Sequence, residues 1–216
     1  MYYYIIDNEP FPEKLERDQY GYVAIGGDLS PQRLIEAYKR GIFPWYPYKL
    51  TEVMWCCPET RFVIFPSEVH VSHSMHTLIN SHHYAVTFNQ SFNEVIDWCG
   101  KVDKRDKHDY AWLGSHIKKA YGQLAELGYA SSVEVWDLEG KLVGGLYGVT
   151  INKCFIGESM FSLVPSASKL ALIGLARKLE SEGWKFIDCQ MPTEHLRSMG
   201  GQEISYEKYM ELISAN

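Results

Sequence analysis

The sequence predicts an α+β fold whose sheet is mixed but mainly antiparallel. One reason is a β-meander across residues 132–158, where short apolar runs alternate with tight turns. The other is a helical stretch from Ala167 to Glu182, closed by Gly183 and followed by the strand Trp184–Cys189. A strand–helix–strand unit of this kind crosses over right-handed, which sets its last strand parallel to a partner in the sheet.

Each element carries its own signals. Ser30 suits a helix N-cap, Pro31 the first helical position and Gly41 a left-handed end, with Leu34, Ile35, Ala37 and Tyr38 as the apolar stripe between them. Gly26-Gly27-Asp28 before this helix reads as a tight turn, and Phe43-Pro44-Trp45 after it as an extended exit. Residues 46–66 look irregular and then strand-like, with Arg61-Phe62-Val63-Ile64-Phe65 ending at Pro66. A soft boundary here divides a small N-terminal domain, 1–64, from residues 65–216. Tyr84–Phe88 alternates as a strand, and Ser91 opens a helix carrying Phe92, Val95, Ile96 and Cys99. After a charged loop, Ser115 to Leu127 is a helix with Ile117, Ala120, Tyr121 and Leu124 on one side, ended by Gly128. The meander follows as Ser132–Trp136, Leu142–Val149 and Cys154–Glu158.

Composition narrows the class. At 216 residues the chain can bury a real core, and its 46% hydrophobic and 22% charged shares are ordinary for a globular protein. The N-terminus has no basic flank and reaches Asp7 at once, unlike a secretory signal. No apolar run approaches the roughly 18 residues of a membrane span. Five cysteines, an odd number with no CxxC pair, read as reduced thiols in a cytoplasmic protein. His70, His73 and His76 have no carboxylate or thiol at ligand spacing, so no metal is expected; no cofactor is expected either. The net charge of −6 argues against a wholly basic nucleic-acid binder but not against a local patch. Lys101, Lys104, Arg105 and Lys107, then Lys118 and Lys119, form such a candidate near Trp112, although each alone reads equally as a solvated face.

Two acids stand where strands are expected to give way to loops, Glu158 and Asp188. If their strands lie side by side, both carboxylates reach one sheet edge, where ligands of α/β sheets usually bind. Either acid alone can equally be a turn former or a helix cap. Glu158 begins the polar and aromatic run Glu158-Ser159-Met160-Phe161-Ser162, and Gln190 lies just beyond Asp188, so three polar groups can converge beside aromatic rings. Gly144, Gly145 and Gly148 inside one strand suggest close approach of backbone or ligand. There is no Walker motif, so the energy for any bond formed must arrive stored in the substrate.

These blocks are recognisable together. Gly26-Gly27-Asp28-Leu29-Ser30-Pro31, Arg40-Gly41-Ile42-Phe43-Pro44-Trp45, Ser132–Trp136, Leu142–Val149, Gly157–Ser162 with Ala167-Ser168-Lys169, and Ile187-Asp188-Cys189-Gln190 occur in one order. In them the chain resembles the leucyl/phenylalanyl-tRNA–protein transferases over nearly its full length. The resemblance implies a small N-terminal domain and a C-terminal acetyltransferase-like (GNAT) domain. It implies leucyl-tRNA and phenylalanyl-tRNA as donors, and as acceptors proteins with N-terminal Arg or Lys, marked in this way for N-end rule degradation. A monomer with no membrane partner is expected.

By the same resemblance Asp188 and Gln190 carry catalysis and Glu158 falls in their site. Trp45, Trp112, Tyr38 and Tyr121 are implied to bind the aminoacyl-adenosine end, with Leu146 lining the side-chain pocket. The chain departs from the family pattern at Tyr110-Ala111-Trp112, at Ser131-Ser132 and at Cys56-Cys57-Pro58. An acyl-CoA-dependent acetyltransferase is one rival reading, but Pro165-Ser166-Ala167-Ser168-Lys169 lacks the glycines of a pyrophosphate turn; a non-catalytic tRNA-binding module, to which Asp188 and Gln190 would be incidental, is the other.

Overall fold

The computed structural model describes residues 3–7, 9–45, 52–103 and 114–215. Trp112, Lys104, Arg105, Lys107 and the departure at Ala111 lie outside the described residues.

The N-terminal part builds a four-stranded sheet from β1 (Tyr3–Ile5), β2 (Tyr22–Gly26), β3 (Phe43–Trp45) and β4 (Met54–Cys56), in the order β1-β2-β4-β3. Three of these strands are three residues long, too short to display alternation, which is why sequence periodicity does not reveal the sheet. Helix α1 (Pro31–Lys39) has the expected ends: the Ser30 hydroxyl accepts from the Arg33 amide at 3.4 Å, and Gly41 follows with φ of +70°.

The larger sheet has seven strands: β5 (Thr60–Ile64), β6 (Tyr84–Phe88), β7 (Ala130–Asp137), β8 (Leu142–Ile151), β9 (Cys154–Ser162), β10 (Phe186–Asp188) and β11 (Gln202–Ser205). Their order is β11-β5-β10-β9-β8-β7-β6, antiparallel throughout except for the β9–β10 pair. That pair is parallel, as the crossover through α5 (Ala167–Ser181) requires. Helices α2 (His73–Asn80), α3 (Phe92–Asp103), α4 (Ser115–Glu126), α6 (Glu194–Ser198) and α7 (Tyr206–Ser214), with a 3-10 turn at Pro66–Glu68, complete the described elements. His70 precedes α2, so the three histidines do not share a helix face.

Two expectations are corrected. Thr60–Ile64, grouped with residues 1–64, pairs inside the larger sheet between β11 and β10. Glu158 does not open a loop: β9 runs on to Ser162, because the long β8 offers a partner as far as Gly144.

Strand alternation sorts the core into two layers. Phe62, Val133, Val143, Phe155 and Ile187 face α5, whereas Val63, Leu142, Tyr147, Ile156 and Phe186 face α3, α4, α7 and the N-terminal sheet. One apolar cluster thus runs from Ile5 to Ile213 and joins the two sheets. Each large apolar side chain in it gains about 1.5–3 kcal/mol by burial. The strand glycines serve this packing rather than a ligand. A methyl group on Gly144 would strike Ala167, and one on Gly148 would strike the carbonyl oxygen of Ile156.

Gly148→Ala is therefore expected to lower the unfolding free energy by at least about 3 kcal/mol in urea titrations. Gly128→Ala, at φ of +80° but with nothing within 4 Å, meets only the left-handed backbone cost of about 1–2 kcal/mol. Equal losses in the two variants would show that backbone approach at Gly148 is not the constraint.

Candidate active site

The last pair between β9 and β10 is Ile156 with Asp188. Beyond it β9 continues alongside β8 while β10 stops, so the sheet opens into a notch. A cavity of about 210 Å³ fills the notch, below the roughly 300–1,000 Å³ of pockets that enclose a whole drug-sized ligand. It has room for one amino-acid side chain. Leu146, Phe155, Met160, Leu172 and Ile187 make its apolar wall, and Glu158, Asp188 and Gln190 border it.

Glu158 reaches the notch because of a β-bulge. Tyr147 pairs with Ser159 and Gly148 with Gly157, leaving Glu158 as the extra residue between them. Bulges re-aim side chains in this way. Its carboxyl group accepts from the Tyr38 hydroxyl at 2.7 Å and the Tyr121 hydroxyl at 2.9 Å, and the two phenol oxygens are 2.5 Å apart. Three oxygen–oxygen contacts need three protons, and two phenols supply only two. When Glu158 is protonated it supplies the third by donating to one phenol, which then turns its own proton to the other phenol, while the second phenol still donates to the carboxyl group. Burial accordingly pushes the Glu158 carboxyl up to about 8, despite the opposing hydrogen bonds from Tyr38 and Tyr121. Both phenols are themselves raised well above their ordinary range, first by burial and then by the Glu158 charge.

Asp188 has no solvent exposure. Its Oδ1 accepts from Arg61 Nε at 3.4 Å and from the Gln190 amide at 2.8 Å; Oδ2 accepts from Tyr209 at 3.0 Å and from Arg61 Nη2. Asp188 is left no free face for a developing ammonium: four donors already fill a carboxylate that has about four lone-pair sites. What Asp188 fixes is the Gln190 backbone, held in the left-handed region at φ of +63°. Gln190 Nε2 then donates toward Glu158 Oε1 at 3.4 Å.

The structure thus brings together Glu158, Asp188, Gln190, Tyr38, Tyr121 and Leu146. Tyr38 and Tyr121 stand behind Glu158, fully buried, and do not line this cavity. Trp45 lies apart on β3, partly exposed and edge-on to Phe43 at 6.4 Å. The Lys101 ammonium sits 4.5 Å over the Trp98 ring, Lys118 pairs with Asp97, and Lys119 is exposed. Of the departures, Cys57 is buried with its carbonyl accepting from Arg17 at 2.6 Å, and Ser131 pairs with Gly148. Sequence reasoning missed Arg61 and Tyr209. The usable signal was a lone arginine in an apolar strand, a charge that cannot be buried without a partner.

Comparisons with known proteins place the chain in a family. The model of the leucyl/phenylalanyl-tRNA protein transferase family matches residues 63–214, and the model of that family's N-terminal domain matches residues 27–59. A leucyl/phenylalanyl-tRNA–protein transferase of Nitrosomonas eutropha is 44% identical over 211 residues, spanning 97% of this chain and 88% of its own. One of Flavobacterium johnsoniae is 43% identical over 213 residues, spanning 99% of each. The crystal structure of a conserved protein of unknown function from Bacteroides thetaiotaomicron overlaps 72% of this chain and 55% of its own at 15% identity. Its TM-score of 0.49 is too low to carry any argument. On the family models and the relatives together, the chain belongs to the leucyl/phenylalanyl-tRNA–protein transferase family.

Proposed function

We propose that this protein transfers leucine or phenylalanine, and methionine less readily, from aminoacyl-tRNA to the α-amine of proteins with N-terminal Arg or Lys. Membership of the family supports the reaction, and the observation that carries it is one apolar cavity opening against Glu158 and Gln190. A cavity of side-chain size suits leucine and phenylalanine, but one methylene changes binding by only about 1–3 kcal/mol, so methionine is not fully rejected.

In the reaction, the neutral α-amine attacks the ester carbonyl; a C–N bond forms, and the C–O bond to the ribose 3′-oxygen breaks. One proton must leave the amine and one must reach the departing oxygen. An α-amine of pKa near 8 is partly neutral at physiological pH, so a strong base is unnecessary. Gln190, its nitrogen directed to Glu158, has its carbonyl oxygen to accept an amine N–H and aim the lone pair. Neutral Glu158 donates the proton to the leaving oxygen and recovers one from the amine, its pKa of about 8 matched to that exchange. Asp188 acts through Gln190 rather than on the substrate.

The larger sheet is read as acetyltransferase-like, supported by the parallel β9–β10 pair and the notch beyond it. Trp45 offers a ring for the terminal adenosine, and Lys101, Lys118 and Lys119 offer cations for the tRNA backbone. Among the described residues no helix is long and apolar enough to cross a membrane. A cytoplasmic monomer, marking its acceptors for N-end rule degradation, completes the proposal.

Labelled leucyl-tRNA and phenylalanyl-tRNA, incubated with peptides of varied N-terminus, test it directly. Transfer confined to Arg- and Lys-starting peptides is expected; no transfer to any peptide would overturn the reading. Gln190→Ala and Asp188→Asn are each expected to cut kcat at least about tenfold, roughly 1.4 kcal/mol of barrier. For stability, the Glu158 pKa is raised from 4.5 to about 8, so the folded state holds a proton that the unfolded chain releases. Stability is then expected to fall as pH rises across that window, and Glu158→Gln to flatten the fall. Denaturant titrations at several pH values check this, and identical profiles for the two proteins would contradict it.

A further inference from the structure

The Arg61 guanidinium is more than a counter-charge. It is 1% exposed, carried on β5, and engages Asp188 through Nε and Nη2 while Nη1 donates to the Gly41 carbonyl at 2.5 Å. Its carbon lies 4.8 Å over the Phe43 ring and 4.4 Å over the Tyr209 ring, and the Tyr209 hydroxyl turns back to Asp188. One planar cation therefore meets three separate segments of chain. Through Asp188 it reaches Gln190; through Gly41 it reaches the end of α1, whose Tyr38 holds Glu158.

We propose that Arg61, seconded by Tyr209, is a positioning residue for aminoacyl transfer: it locks Asp188 so that Gln190 keeps its left-handed backbone and presents its amide to Glu158. A non-glycine residue in that region persists only when its surroundings over-determine it. Here the determinants are the Asp188 oxygen on the Gln190 amide and the Phe62 amide donating to the Gln190 carbonyl at 3.3 Å. An unlocked carboxylate could rotate away from the Gln190 amide and release the backbone. Lysine cannot replace Arg61, because a point-like ammonium lacks the fork that spans carboxylate and carbonyl at once and the plane that stacks on rings. The inference rests on the proposed reaction for its kinetic arm only.

The test uses Arg61→Lys, which keeps the charge, and Tyr209→Phe, which keeps the ring and loses one hydrogen bond. Folding is checked by circular dichroism and a cooperative melt, with Arg33→Lys, at a buried arginine paired with Asp28 away from the notch, as control. Folded Arg61→Lys is expected to lose at least about tenfold in kcat with KM for aminoacyl-tRNA within about threefold, Tyr209→Phe about threefold in kcat, and Arg33→Lys neither. In an Asp188→Asn background, Arg61→Lys should cost less than about threefold further, because both act on one link. The Gln190 side-chain amide resonance in a ¹⁵N-labelled protein, identified by its loss in Gln190→Ala, should shift in Arg61→Lys and Tyr209→Phe without any substrate. Full kcat in folded Arg61→Lys, an additive loss in the double variant, or an unmoved Gln190 resonance overturns the inference. Should Arg61→Lys not fold, Tyr209→Phe decides by the same readouts. Absence of transfer by the wild type strikes the proposed function instead, and the Gln190 resonance still decides this inference.

Discussion

A buried ion pair between Arg61 and Asp188 is the constraint on which the site depends. Taking two charges out of water costs several kcal/mol for each ion, and mutual attraction repays it only with good geometry and further hydrogen bonds. Both conditions hold here. Arg61 also bonds Gly41, and Asp188 also accepts from Tyr209 and Gln190. Burial alone would lower the arginine's pKa, but the adjacent Asp188 carboxylate outweighs it and the net direction is upward. The pair ties β5, the end of β10, the segment after α1 and helix α7 at one point beneath the notch.

Above that point a polar ring faces an apolar hole. The bulge in β9 throws Glu158 out of register, and two phenols catch it. Burial pushes the carboxyl group up to about 8, which favours the neutral acid beside the cavity near pH 7. A neutral acid can both give and receive a proton, as amine acylation demands. The N-terminal part contributes to this chemistry from outside the larger sheet, since Tyr38 belongs to α1 and packs into the shared core. Neither sheet would present the site by itself.

Much of this was legible in the residues, and the failures have physical causes. The crossover helix and a parallel setting of the strand after it followed from patterning and handedness; that its partner is β9 was a condition of the reading, which the fold meets. Those two facts put Glu158, Asp188 and Gln190 on one rim. The bulge was not legible, because it depends on register against β8, which a single strand's alternation does not encode. The expected loop at Glu158 was for that reason a strand. Tyr38 and Tyr121 were singled out, yet their partner is a carboxyl group 120 and 37 residues away, a contact no local pattern reveals. Arg61 was passed over inside an apolar run whose other members supplied a sufficient strand signal.

In the proposed reaction the donor's side chain enters the notch and its ester carbonyl lies between Glu158 and Gln190. A crystal structure with phenylalanyl-adenosine, its ester replaced by a non-hydrolysable amide, measures this directly. The phenyl ring should lie against Leu146, Leu172 and Ile187, with the amide carbonyl carbon within about 3–3.5 Å of the space an amine held by Gln190 would occupy. A ring bound elsewhere, with the notch empty and Glu158 still closed on its two phenols, would contradict the account.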